Sequence, residues 1–337
     1  MRVAQGLLAA AAVWLSRGLI RKTASRRWDL SSKVVLISGG SRGLGLALAR
    51  RFSRLGALPA ICARNEESLS LIKQEFEAQG KPIHVFACDV SDPERVRAWI
   101  SSVIERFGRI DILVNNAGII QVGPASAMRP DDFHAAIDTI FYGTVNSTRE
   151  ALPELTKGRG RIINITSIGG IVALPHLLPY TCAKFAMSGF SLALAAELRH
   201  RGILVTTVVP GLMRTGSYLN ALFKGRREAE FDWFSLAATL PGVSMSAERA
   251  VNKIIEAARE GRPFVTIGFP AKVLRLVHAL LPGFWVRFMS GVDRWLLPES
   301  SGPTDKPGRN ILVSARPFSR HLMKLGRKAA RQYRQAG

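Results

Sequence analysis

Tyr180 and Lys184 stand four residues apart in "LPYTCAKFAMSGFSLALAAELRHRG", which reads as one long helix entered at Pro179, so their side chains share a face. A free phenol has a pKa near 10 and is a poor acid or base at neutrality unless a neighbouring cation favours the phenolate. Lys184 can supply that cation. The pair suits proton transfer to or from an oxygen atom, although a chance spacing on a helix would look the same.

A second constellation lies in "VVLISGGSRGLGLALAR", Val34 to Arg50. An apolar β-branched run meets Gly39, Gly40, Gly43 and Gly45, and then Leu44, Leu48, Phe52 and Leu55 recur at helical spacing. A strand-to-helix turn of this kind aims free backbone N–H groups and the positive end of a helix dipole at one spot, and missing Cβ atoms let a pyrophosphate come close. Gly39, Gly43 and Gly45 are candidate phosphate contacts; a tight turn with no ligand is the plainer alternative. Where an acidic residue would meet a free ribose 2′-hydroxyl, about 20 positions on, the chain reads "ICARN". Arg64 stands there and Arg42 lies in the glycine loop, so two guanidinium forks favour the 2′-phosphate of NADP over NAD, unless they are solvated surface arginines.

The elements that must position these residues follow from patterning. "KVVLIS", "LPAICA", "PIHVFACDV" and "IDILVNNAG" alternate with amphipathic helices ending near Leu55, Ala78 and Arg106; "RIINITS", "ILVTTVVPG" and "PFVTIG" supply three more strands. This predicts an α/β fold, a doubly wound parallel (Rossmann) sheet of seven strands with helices on both faces and ligands beyond the strand carboxyl ends. Pro59 is expected at the first residue of its strand. With 337 residues the chain can form one such domain, and Cys62, Cys88 and Cys182 are too few for a disulfide framework. No metal-ligand spacing is present in the sequence.

The net charge of +22 is uneven: residues 1–33 carry a surplus of 6 and residues 266–337 a surplus of 10. The charge belongs to the ends, and no nucleic-acid-binding motif accompanies it, so no specific nucleic-acid partner is expected. The expected organisation is an N-terminal extension over 1–31, a Rossmann-fold domain over 32–265 and a basic amphipathic extension over 266–337.

"SGGSRGLG", "NNAG" at Asn115–Gly118, Ser167 thirteen residues before Tyr180, Lys184, and "PGLMRT" at Pro210–Thr215 together resemble the short-chain dehydrogenase/reductase family over about residues 32–265. The resemblance implies hydride transfer between a nicotinamide cofactor and a carbonyl or alcohol, with Tyr180 passing the proton, Ser167 hydrogen-bonding the substrate oxygen and Lys184 binding the nicotinamide ribose and lowering the tyrosine pKa. It also implies cofactor contacts from Gly39, Ser41, Arg42, Gly43, Leu44, Gly45 and Arg64, from Asp89 and Val90 beside adenine, from Asn116, Ala117 and Gly118, and from Pro210, Gly211 and Thr215 near the carboxamide. The family usually places an asparagine three residues before a glycine to complete the proton relay. Here Gly143 puts Ile140 at that point, and Asn146 lies nearly two turns further on. An NADP-binding sensor with little turnover is therefore the rival expectation.

The segment 212–245 corresponds to a substrate lid, and Tyr218, Leu219, Leu222, Phe223, Phe231, Trp233 and Phe234 make it apolar, which favours a lipophilic substrate or simply packs the lid down. His176 is a candidate for the same pocket. Val3–Ser16 is uncharged and is followed by Arg17, Arg21, Lys22, Arg26 and Arg27, the pattern of an interfacial anchor or of a transit peptide. Phe284, Trp285, Phe288, Met289, Val292, Trp295 and Leu296 fall on one side of a helical wheel, able to meet a membrane surface, the substrate pocket or a subunit. The expectation is a cytoplasmic homo-oligomer held peripherally at a membrane surface.

Overall fold

Short Val/Ile-rich runs become strands β1 (Val34–Ser38), β2 (Leu58–Ala63), β3 (His84–Ala87), β4 (Ile112–Asn115), β5 (Arg161–Ile165), β6 (Leu204–Pro210) and β7 (Phe264–Ile267). The computed structural model describes residues 28–297, 306–312 and 324–335. The run Val3–Ser16 and the five basic residues after it lie outside them. All seven strands are parallel, in the order β7-β6-β5-β4-β1-β2-β3. The chain therefore reverses its direction across the sheet between β1 and β4, and a crevice opens at their carboxyl ends.

One face of the sheet is covered by α1 (Gly43–Arg54), α2 (Glu66–Glu77) and α8 (Ala247–Arg259), through Leu46, Ile72 and Ile254 among others. The opposite face is covered by α3 (Pro93–Phe107), α5 (Gly143–Lys157) and α6 (Leu178–Leu198), through Trp99, Leu155 and Ala195. Between α3 and α5 lies the short α4 (Pro130–Ala136), and the lid is built on α7 (Arg227–Thr239). Pro59 is the second residue of β2, not the first; pairing with β3 begins only at Ala60, so β1 alone flanks the missing N–H.

A buried polar chain crosses the second face. Asn115 Nδ2 donates to Asn164 Oδ1 at 2.8 Å and to Thr148 Oγ1 at 3.2 Å, Asn164 Nδ2 donates to Ser191 Oγ at 2.9 Å, and Ser191 and Thr207 share a hydroxyl bond at 2.7 Å. Strands β4, β5 and β6 and helices α5 and α6 are tied together by it.

The C-terminal extension is worked into the domain. Helices α9 (Phe269–Leu280) and α10 (Pro282–Leu296) form a hairpin at the sheet edge. Farther on, α11 (Gly308–Leu312) and α12 (Lys324–Gln332) return across the lid and the glycine loop: Ile311 and Ala330 pack with Tyr218, Phe223 and Phe231, while Ala329 and Tyr333 join the core beside α1 and α8. The one-sided wheel expected for α10 divides in the structure. Trp285 is buried, with Nε1 donating to the Ala173 carbonyl at 2.9 Å, and Met289 packs partly behind it, whereas Phe284, Phe288 and Trp295 are exposed. Among the described residues no helix is long and apolar enough to cross a membrane.

Candidate active site

At the end of β1 the backbone turns through Gly39 and Gly43, both in the left-handed region at φ 65° and 58°, where a side chain would be strained. Helix α1 then begins with Arg42 as its N-cap, which makes no side-chain capping bond, and its first turn has no acidic residue. The Gly43 N–H donates to the Tyr333 carbonyl at 2.8 Å, and the amides that follow it in the first turn, with the helix dipole, are left for an anion. Asn116 braces this turn from β4: its backbone N–H donates to Ser38 Oγ at 2.9 Å, and its Nδ2 donates to the Ser38 and Gly39 carbonyls at 3.0 and 3.1 Å.

A cavity of about 1220 Å³ runs from this turn to Tyr180. Gly39, Ser41, Arg42, Gly43, Leu44, Arg64, Asp89, Val90, Asn116, Ala117, Gly118, Ser167, Tyr180, Lys184, Pro210, Gly211 and Thr215 all line it. Gly45 does not. A Cβ there would collide with the Gly39 carbonyl oxygen, so this glycine lets α1 pack against its own loop. At the far end Arg64 Nη1 lies 3.7 Å from Asp89 Oδ2, and Arg42 Nη1 donates to Asn220 Oδ1 at 2.7 Å. The Arg42 guanidinium is pushed below its ordinary pKa by burial and then by the charges of Arg64 and Arg309. An uncapped helix start beside clustered guanidinium groups fits a dinucleotide that carries phosphate at this end.

At the near end α6 and the close of β5 bring three side chains together. Ser167 caps the short turn Ile168–Gly170 by accepting the Gly169 N–H at 3.1 Å, and its hydroxyl lies beside the Tyr180 phenol. Lys184 is buried; its Nζ donates to the Ile165 carbonyl at 2.6 Å and lies 5.9 Å from the centre of the Tyr180 ring. Burial brings the ammonium down to about pKa 7. Burial also raises the Tyr180 pKa, with the Ser167 hydroxyl acting weakly the other way. The expected lowering of the phenol by Lys184 is not seen here: burial sets the direction of the phenol, and the ammonium is bonded to a strand carbonyl.

Ile140 sits in a π-helical turn, Ile137–Tyr142, between α4 and α5. The helix distortion exists without an asparagine. Thr144 Oγ1 donates to the Ile140 carbonyl at 2.7 Å, and the isoleucine side chain packs with Ala183, Met187 and Tyr180. Asn146 is turned away, its Nδ2 donating to the Val90 carbonyl at 3.2 Å.

The lid residues divide by role. Leu222, Trp233 and Phe234 line the cavity, whereas Tyr218, Phe223 and Phe231 pack the lid onto the C-terminal segment. His176 is not in the cavity wall. Held in the left-handed region at φ 59°, it is buried with Nδ1 2.6 Å from Glu230 Oε1 and Nε2 3.0 Å from Asp293 Oδ1. It joins the loop before α6 to the lid helix and to α10. Among the described residues no group of His, Cys, Asp and Glu could hold a metal ion. Asn220, Arg309 and Gln335 also face the cavity, and no local motif announced them.

The model of the short chain dehydrogenase family matches residues 33–221. The granaticin polyketide synthase putative ketoacyl reductase 1 of Streptomyces violaceoruber is 39% identical over 185 residues, which are 54% of this chain and 68% of that protein. Dehydrogenase/reductase SDR family member 7B of Bos taurus is 30% identical over 269 residues, covering 77% of this chain and 81% of the relative. Among solved structures, a gluconate 5-dehydrogenase from Burkholderia cenocepacia in complex with NADP and tartrate superposes with a TM-score of 0.64 at 28% identity, over 74% of this chain and 99% of its own.

Proposed function

The chain belongs to the short-chain dehydrogenase family, whose members are NAD(P)-dependent oxidoreductases of the carbonyl–alcohol couple, and from that premise we propose an NADP-preferring enzyme acting on an apolar substrate with Tyr180 as the acid or base. The observation that carries this reading is one cavity holding Ser167, Tyr180 and Lys184 at one end and Arg42 and Arg64 at the other. The nicotinamide, when bound, supplies or accepts the hydride. Amides at the start of α1 would hold the pyrophosphate, and the two arginines the 2′-phosphate. Ser167 and Tyr180 present two hydroxyls to one substrate oxygen; in reduction the Tyr180 Oη proton passes to that oxygen as the carbonyl carbon receives the hydride. Lys184, with a pKa of about 7, can hold or give up a proton at working pH and so restore the phenol. Leu222, Trp233 and Phe234 exclude water beside that oxygen and suit an apolar chain or ring system. NADPH oxidation against carbonyls of rising chain length tests this, with rates expected to rise with apolar length.

The cofactor preference has its own test. NADPH is expected to bind more tightly than NADH, and Arg64→Asp to cut the advantage on the order of tenfold by removing a charge-assisted contact and adding a carboxylate. Equal affinities in the wild type, measured by fluorescence titration, overturn the preference.

Membrane association rests on the exposed side of the α9–α10 hairpin, where Phe269, Leu276, Leu280, Phe284, Phe288 and Trp295 stand among Lys272, Arg275, Arg287 and Arg294. Exposed aromatic and aliphatic residues beside cations suit an anionic lipid surface. The protein is expected to sediment with anionic vesicles at low salt and to be released as salt screens the charges. Retention in the supernatant at low salt assigns the patch to another contact, such as a second copy.

A further inference from the structure

We propose that the C-terminal segments 306–312 and 324–335 form a strap that belongs to the cofactor site, in which Gln335 and Asn220 fix Arg42 and Arg309 adds a third guanidinium for the phosphate on the adenosine ribose. The inference rests on the NADP reading above and extends it to residues outside the family-like domain.

Four observations converge. The carbonyl of Tyr333 accepts the Gly43 N–H at 2.8 Å, so the strap is bonded to the glycine loop itself. Gln335 lies directly against Gly43: a Cβ there would strike Gln335 Nε2. Asn220 Nδ2 donates to the Gln335 backbone carbonyl at 2.9 Å and to its Oε1 at 2.6 Å, while Asn220 Oδ1 accepts from Arg42 Nη1 at 2.7 Å. The lid residue is thereby gripped by the strap and in turn grips the loop arginine. Finally, Arg309 and Gln335 face the same cavity as Arg42 and Arg64.

The strap is fastened elsewhere by contacts that cofactor binding need not disturb. Arg50 Nη1 donates to the Gln332 carbonyl at 2.7 Å, and Arg334 pairs with Glu75 at 3.1 Å. Tyr333 and Ala329 are buried in the core. Residues 329–335 are held in place over the loop, and the polar atoms of Gln335 are spent on aiming Arg42 through Asn220. An arginine with its fork held in advance loses less freedom on meeting a phosphate.

The probes are adenosine 2′,5′-bisphosphate and adenosine 5′-diphosphate, titrated calorimetrically on the full chain without substrate. Wild type should favour the bisphosphate. Arg309→Ala should cost it about tenfold, and Asn220→Ala and Gln335→Ala several-fold each, with 5′-diphosphate affinity unchanged. Melting temperature shows whether each variant is folded, and Gln335→Ala leaves the buried side chains of Tyr333 and Ala329 in place. Arg331→Ala removes an exposed strap cation that does not line the cavity, and should change nothing. If wild type fails to discriminate the two probes, the NADP reading falls. If it discriminates and the three variants keep the full ratio, or Arg331→Ala lowers it equally, the strap is structural only and the inference is overturned.

Discussion

Tyr180→Phe is expected to lower turnover by about 10² to 10⁴-fold, the range typical of a lost general acid–base step, while leaving NADPH affinity unchanged. The phenylalanine ring keeps the packing against Ile140, Ala183 and Met187, so the cavity wall survives and only Oη is lost. Ser167 then retains a hydroxyl whose Oγ already accepts the Gly169 N–H, and it has no source from which to replace a proton it gives away. Single-turnover hydride transfer separates the step from product release. Wild-type rates in the variant would remove Tyr180 from the chemistry.

Lys184→Met is expected to move activity and stability in opposite directions. Turnover should collapse by a similar factor, since the proton source behind the phenol is gone. The cofactor-free protein should nevertheless melt at a higher temperature at pH 6. Folding takes this ammonium from a pKa of 10.5 to about 7 by desolvation, and a tenfold change in its acidity corresponds to about 1.4 kcal/mol. The unfolded chain binds the extra proton between those values, so stability rises with pH there. The penalty is present in full below pH 7, fades as pH climbs toward 10.5 and is absent above it. Methionine carries no such penalty, and Met187 already shows that a thioether fits beside the site. The loss of the bond to the Ile165 carbonyl offsets part of the gain. The variant's advantage should therefore be largest at pH 6 and smaller at pH 9. A variant less stable than wild type at both values would mean that the ammonium is not desolvated in the folded protein.

Those two residues were legible because four-residue spacing on a helix is a local fact, and so was the sheet, since each strand is a short Val/Ile run with its own boundaries. Partners were not legible. Nothing near Lys184 in sequence indicates that the carbonyl of Ile165, nineteen residues away, would accept its hydrogen bond, or that burial would raise the phenol beside it. The glycine loop exposed a different limit: composition cannot show that Gly39 lines the cavity while lying against the Ala117 backbone, whereas Gly45 lies against the Gly39 carbonyl and off the cavity. The wheel drawn for α10 could not tell Trp285, which reaches the Ala173 carbonyl, from exposed Phe284 beside it. Ile140 could be read as a departure from the relay asparagine, but nothing in the sequence showed that the chain there forms a π-helical turn, held in part by Thr144 and by side-chain packing.

The buried amide and hydroxyl chain from Thr148 through Asn115, Asn164 and Ser191 to Thr207 acts as a vernier for the sheet. Asn115 faces Asn164, and Asn164 faces Thr207, as register partners on three adjacent strands. Sliding any one strand by a single residue shifts it by about 3.3 Å and turns each side chain to the other face, leaving buried amide and hydroxyl groups without partners at about 1–3 kcal/mol each. The same slip of β5 would carry Ser167, two residues past the end of that strand, out of reach of the Tyr180 hydroxyl. Misaligned sheets are thus penalised beneath the surface by groups that do not line the cavity, and the register they favour is the one that sets the spacing of Ser167 and Tyr180.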